Sequence, residues 1–128
     1  MAEARAKSEN TKVGRKGEDI ACELLIKHGH TVIERNWRIG HLEIDIITLD
    51  RIGIHFVEVK TRRPPLQADP QECVNLAKQR RIAKAAQGWT AKKGYDGAEC
   101  HFDIVSVVID GEKTCTEYYP DAYIPSFV

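Results

Sequence analysis

"LEIDIITL" (Leu42–Leu49) and "IHFVEVKTRR" (Ile54–Arg63), joined by "DRIG" (Asp50–Gly53), decide how this chain folds. Both runs alternate with a period of two and are rich in β-branched residues, so they read as strands. The short Gly-containing connection reads as a hairpin loop. With Asp50 to Gly53 as that loop, Leu49 pairs with Ile54, Ile47 with Phe56, Asp45 with Glu58 and Glu43 with Lys60. These eight side chains share one face, apolar near the turn and charged at the far end. The other face carries Leu42, Ile44, Ile46, Val57 and Val59, so both sides of the sheet need cover.

The charged end raises the functional question. Two carboxylates facing each other at about 5 Å repel, and one of them gains a raised pKa unless a cation lies between them. Carboxylate and carbonyl oxygens suit a hard divalent ion, Mg²⁺ or Mn²⁺. Lys60, one pleat beyond Glu58, is then placed to hold a water or balance charge beside the metal. A simpler arrangement also fits the same residues: a Glu43–Lys60 surface ion pair, with Asp45 and Glu58 hydrated at a sheet margin.

Outward from the hairpin, Asn10 or Thr11 can cap a helix that runs to about His28 and stops at Gly29. Its apolar stripe uses Val13, Ile20, Ala21, Leu24 and Leu25, with Gly14 and Gly17 allowing close approach. Glu18 borders the stripe and can reach the acidic cluster as a further ligand or water holder. "HTVIERNWRI" (30–39) reads as one strand or two, and "RRPPLQADP" (62–70) as a loop because of its three prolines. Helical spacing returns from about Gln71 to Lys93, with Val74, Ile82, Ala85, Ala86 and Trp89 on one side. Lys78 falls inside that stripe, where it either snorkels to water or points over the sheet toward the acids or a phosphate. Arg80, Arg81 and Lys84 flank it, within reach of a nucleic-acid backbone. "CHFDIVSVVI" (100–109) is a further strand, and the tail from Tyr118 to Val128 is expected to lie extended on the surface. The order α-β-β-β-α-β implies an α/β protein with helices on both faces of a mixed sheet.

Bulk properties narrow the classes. A chain of 128 residues suits one domain, here with residues 1–12 expected as a flexible lead-in. It has no apolar run long enough to span a bilayer and no apolar export core, which points to a cytoplasmic protein without membrane association. Cys22, Cys73, Cys100 and Cys115 are scattered, as expected of reduced, mostly packed thiols. Formal net charge is zero, but residues 60–93 hold nine Lys/Arg against two acids, and residues 94–128 hold one lysine against seven acids. The segregation suits either two solvated faces or a basic surface for phosphates with an acidic side turned away. A metabolic enzyme finds no Gly-rich phosphate loop after a strand and no Ser-His or Cys-His motif.

Six segments in order carry a resemblance: "GRKGEDIA" (14–21), "ERN" (34–36), "EID" (43–45), "FVEVKTR" (56–62), Val74 with Lys78–Ile82, and "FDIV" (102–105). Together they resemble the YraN-type family of small bacterial proteins, in the PD-(D/E)xK, restriction-endonuclease-like superfamily. The match differs at Leu42, where the family usually has Gly, and at His101, where it commonly has Arg. The resemblance implies a three-layer α/β/α restriction-endonuclease-like fold with a central mixed sheet, and a Mg²⁺- or Mn²⁺-dependent endonuclease acting on nucleic acid. By the same resemblance Asp45, Glu58, the Val59 carbonyl and Glu18 would hold the metal, with Asp45, Glu58, Lys60 and Glu18 as the catalytic set. Arg15, Lys16, Arg62, Arg63, Lys78, Arg80, Arg81 and Lys84 are the expected nucleic-acid contacts. The substrate would be DNA, including structured or branched forms, and junction cleavage would call for a homodimer. The competing reading is a non-catalytic nucleic-acid-binding or adaptor module on the same fold.

Overall fold

The computed structural model describes residues 2–65 and 74–125, with side chains from Lys12 onward. The order is α1 (Ala2–Lys27), β1 (Thr31–Ile39), β2 (Leu42–Leu49), β3 (Ile54–Arg62), α2 (Leu76–Lys93), β4 (Cys100–Asp110) and β5 (Lys113–Tyr119). The strands form one five-stranded sheet in sequential order. Every neighbouring pair is antiparallel except β3–β4, which is parallel because α2 carries the chain back across the sheet.

The sheet is covered on both faces, giving the expected three-layer α/β/α arrangement. On one side Ala21, Cys22 and Leu25 of α1 pack on Ile46, Val57, Val105 and Val107. On the other, Ile82, Ala85, Ala86 and Trp89 of α2 pack on Ile44, Ile47, Phe56 and Phe102. α1 seats closely because of Gly17: a Cβ there would stand 1.8 Å from the Thr61 hydroxyl oxygen. Gly14 has no such constraint, with nothing within 4 Å of a Cβ built on it.

The hairpin register holds from the turn inward, with Leu49 against Ile54, His55 against Thr48, Phe56 against Ile47 and Val57 against Ile46. There the ladder ends, so the expected Asp45–Glu58 and Glu43–Lys60 cross-strand pairs do not form as a regular continuation. Strict alternation also breaks at this point. Ile46 lies in the α1-side cluster, whereas Ile44 and Leu42, expected on the same face, pack on the α2 side. On the opposite neighbour, Asn36 falls across from Asp45 in the β1–β2 register and takes a left-handed φ of 52°. Asp45 is thus flanked by irregular backbone on both sides.

Other expectations shift at element ends. Helix α1 continues back to Ala2 through the stretch expected as a flexible lead-in; Ala, Glu, Arg and Lys there are good helix formers. α2 starts at Leu76 rather than near Gln71, because Asn75 caps it by accepting from the Lys78 N–H at 2.9 Å. Gln71 to Cys73 lie outside the described residues. β5 occupies part of the expected terminal tail, entered through a tight turn at Gly111 and Glu112 with Asp110 paired to Lys113. Residues 126–128 of that tail lie outside the described residues. Of the thiols, Cys22 is packed, Cys100 and Cys115 are exposed, and all three are free. No helix of the described residues is long and apolar enough to cross a membrane.

Candidate functional site

The open end of the β2–β3 hairpin gathers the predicted acids and lysines. Once the ladder stops, the Asp45 carboxylate takes the place of a strand partner and accepts the Val59 N–H at 2.8 Å. Burial, and then the Glu58 charge, push the Asp45 carboxyl up to about 7. The Val59 N–H and the Lys78 charge oppose that rise, while Glu18 adds to it. Asp45 therefore sits within electrostatic reach of both helical layers.

Glu58 is buried, with 7% exposure, and two ammonium groups face it. Lys60 Nζ lies 3.5 Å from Glu58 Oε1, and Lys78 Nζ donates to the same oxygen. Lys78 therefore points over the sheet to the acid. Burial opposes its charge, but Glu58, the Lys60 contact and then Asp45 outweigh that and hold it above the usual lysine range. Glu43 instead pairs with Arg38 at 3.4 Å, across the β1–β2 ladder.

Glu18 stands beside this cluster, held by Asn36 Nδ2 at 3.0 Å and Arg35 at 3.5 Å. Arg35 also pairs with Asp19 at 2.8 Å. The left-handed Asn36 thus stands opposite Asp45 within an unbroken β1 and orients Glu18. Arg35 and Asn36 belong to "ERN", a segment that periodicity reads only as strand; a polar pair in mid-strand is the signal for their role.

Asp45, Glu58, Lys78 and Arg81 line a cavity of about 280 Å³, closed by His41, Leu42, Glu43 and Ile82. Arg81 continues with Lys84 into a neighbouring hollow between the β1–β2 turn and α2. Arg15 and Lys16 on α1, Arg63 after β3 and Arg80 on α2 are exposed, and Arg62 is half-buried at the end of β3. Of the expected phosphate contacts, then, Lys78 and Arg81 are at the cavity, Lys84 is next to it, and the others lie on the surrounding surface.

A further group lies at the turn end of the hairpin. One ligand atom each from His30, Asp50 and His55 lies within 4.8 Å of the others, so the described residues hold a triad able to bind a metal. Sequence reading did not reach it. The clues are histidines at the starts of strands and an aspartate opening the hairpin loop.

Residues 17–107 match the family described as "Uncharacterised protein family UPF0102". The chain belongs to this family. UPF0102 is the YraN-type group that the motifs resemble. A UPF0102 protein of Geobacter metallireducens is 40% identical over 114 residues, covering 89% of this chain and 93% of the relative. One of Trichlorobacter lovleyi is 40% identical over 116 residues, covering 89% and 91%. One of Rhodococcus jostii is 36% identical over 117 residues, covering 91% and 99%. The match takes in both hairpin ends, all of α2 and α1 from Gly17 onward, so the Glu18, Asp45, Glu58, Lys60 and Lys78 cluster lies within the part shared with the UPF0102 family.

Proposed function

We propose that this UPF0102 protein is a Mg²⁺- or Mn²⁺-dependent nuclease hydrolysing phosphodiester bonds in DNA. The observation that carries the reading is the convergence of Asp45, Glu58, Lys60, Lys78 and Arg81 where the strands part, with the Asp45 carboxyl pushed up beside Glu58. The donor set fits a hard divalent ion. Two carboxylates are brought together at a cost that a cation would remove, and oxygen is the donor atom in both. Asp45, Glu58 and the Val59 carbonyl would hold the ion, with Glu18 oriented by Asn36 at the rim. When bound, the ion supplies Lewis-acid polarisation of the phosphodiester and a more acidic water.

The chain's own residues supply the rest. Lys60, on the strand that carries Glu58, positions the attacking water and offsets charge developing on the phosphate. Lys78 is a second fixed cation, able to exchange Glu58 for a phosphate oxygen. Arg81 and Lys84 extend this positive wall away from the cavity and anchor the polynucleotide backbone, while Arg15, Lys16, Arg62, Arg63 and Arg80 add to the basic surface. A branched junction would engage two such sites through a homodimer. The second reading, a binding module without catalysis, is favoured by one observation: Glu58 already has two ammonium partners.

The test is cleavage of a panel of single-stranded, duplex, flapped and junction DNA, with RNA alongside, in Mg²⁺ or Mn²⁺. Asp45→Ala and Lys60→Ala are each expected to lower the rate at least about 10²-fold. Cleavage equal in wild type and both variants marks a contaminant and rejects the assignment. Salt-dependent binding without cleavage selects the binding module.

A further inference from the structure

The triad at the turn end of the hairpin is assembled from three segments. His30 precedes β1, Asp50 opens the loop after β2, and His55 is the second residue of β3. Both imidazoles are buried, with 6% and 2% exposure. Each ring is held at Nδ1, His30 by Thr48 Oγ1 and His55 by Asp103 Oδ2, both at 2.6 Å. Both Nε2 atoms face Asp50, 3.6 Å from Oδ2 for His30 and 2.9 Å from Oδ1 for His55, and His30 Nε2 also lies 3.3 Å from the Tyr118 hydroxyl, a contact that an ion would displace. The shorter approach is an ion-pair distance without hydrogen-bond alignment, so His55 Nε2 is a buried nitrogen with no hydrogen-bond partner. Asp50 Oδ1 is occupied by the Ile52 and Gly53 N–H groups at 3.0 and 3.2 Å, which fixes the carboxylate and leaves Oδ2 for another partner.

We propose that His30 Nε2, His55 Nε2 and Asp50 Oδ2 bind one Zn²⁺ ion, at a site separate from the Asp45–Glu58 cluster. Two imidazoles and one carboxylate form a mixed donor set that favours Zn²⁺ and its neighbours over Mg²⁺. Zinc bonds of about 2.0–2.2 Å set tetrahedral donors roughly 3.3–3.6 Å apart, so donors now spread over as much as 4.8 Å draw together on binding. The surroundings supply an outer shell of the kind zinc sites use. Asp103 fixes the His55 ring through Nδ1, and is itself bonded by the Tyr118 hydroxyl and the Asp121 N–H. Thr48 plays the same part for His30. The three protein donors would leave one position for a solvent ligand. Three imidazoles also crowd together here, with ring centroids 4.3 Å apart for His30–His55 and 4.8 Å for His55–His101. The ion would tie the end of α1 to the hairpin loop and, through Asp103 and Tyr118, to β4 and β5. None of this depends on the nuclease reading.

The full chain, stripped with chelator, is titrated with Zn²⁺ by calorimetry and with Co²⁺ by visible absorption. The expected result is one ion per chain, intense tetrahedral Co²⁺ bands, and a Tm raised by Zn²⁺ in the wild type but not in Asp50→Asn. Asp50→Asn, which keeps an acceptor for the Ile52 and Gly53 N–H groups, and His30→Gln should each weaken binding more than about tenfold with an unchanged circular dichroism spectrum. Asp103→Asn should weaken it by about 10–100-fold. Asp45→Asn should leave it unchanged. Absence of Zn²⁺ binding by the wild type overturns the site, as does binding indifferent to Asp50→Asn and His30→Gln. Binding lost in Asp45→Asn alone assigns the ion to the other end of the hairpin and equally overturns it.

Discussion

At the turn end of the β2–β3 hairpin each acid is held ionised by the donors around it; at the open end the lysines serve Glu58, and Asp45 is left with one backbone N–H. Burial pushes the Asp103 carboxyl up, but His55, Tyr118 and the Asp121 N–H outweigh it and hold the group below the usual range. Asp50 behaves the same way, through His55 and the N–H groups of its own loop. Burial pushes the His55 imidazole down, yet Asp103 and Asp50 prevail and raise it. At the open end, burial and Glu58 together drive Asp45 up to about 7, against one backbone N–H and one lysine. One end has donors aimed at each of its acids, and the other holds Asp45, whose ionisation costs free energy. That cost is what a cation at the open end can relieve, so the contrast separates acids already satisfied by donors from one that is not.

Breaking the turn end should have the largest effect. Asp103→Ala leaves His55, the Tyr118 hydroxyl and the Asp121 N–H without their acceptor, and is expected to cost about 3–5 kcal/mol in urea unfolding. A loss under about 1 kcal/mol would mean the network is loosely coupled and the contrast overstated. Removing charge from the open end should do the opposite. Asp45 has a folded pKa above its unfolded value, so its contribution favours folding at low pH and is lost as pH rises through about 7. Asp45→Asn should therefore stabilise the chain by roughly 2–4 kcal/mol near pH 8 in low-metal buffer, and by little below about pH 4. Denaturation at both pH values reads the difference, and a pH-independent effect would contradict a buried titrating carboxyl.

Smaller effects sharpen the same comparison. Gly17→Ala forces α1 away from Thr61 beside Glu18, and should cost about 1–3 kcal/mol. If the open end depends on α1, the same variant also lowers cleavage, while Zn²⁺ affinity at the turn end is retained. Least of all, Arg81→Ala should leave stability nearly unchanged and reduce the slope of log binding constant against log salt by about 0.9, one phosphate contact. An unchanged slope would place the DNA elsewhere on the basic surface.

Much of this fold is legible in the sequence because its signals are local. The register from Leu49–Ile54 to Ile46–Val57 follows from two alternating runs and a four-residue loop. The α2 stripe of Ile82, Ala85, Ala86 and Trp89 follows from helical spacing. β5 escapes because Lys113 to Glu117 are all exposed, so an edge strand shows no apolar alternation, and Asp110–Gly111 is its one clear mark. The departure at Asp45 escapes for a different reason. Whether a strand keeps its pairing there depends on Asn36 in the neighbouring strand and on a side chain capturing the Val59 N–H. Asp45, Glu58 and Lys60 could be named from spacing, whereas the turn-end network could not. His55 and Asp103 stand 48 positions apart, and no local pattern links them.

That separation has a consequence for how the chain acquires its structure. β1, β2 and β3 are joined by short turns, as are β4 and β5, so each group can zip from nearby contacts. The parallel β3–β4 pairing must wait for the connection through α2 to close, the step with the greatest loss of chain entropy. Asp45 and Glu58 lie wholly on the early side of that step. Asp103 and Tyr118 arrive only with it. The acids therefore meet while much of the sheet is still open to water, and the histidine network is sealed late, as the two halves dock.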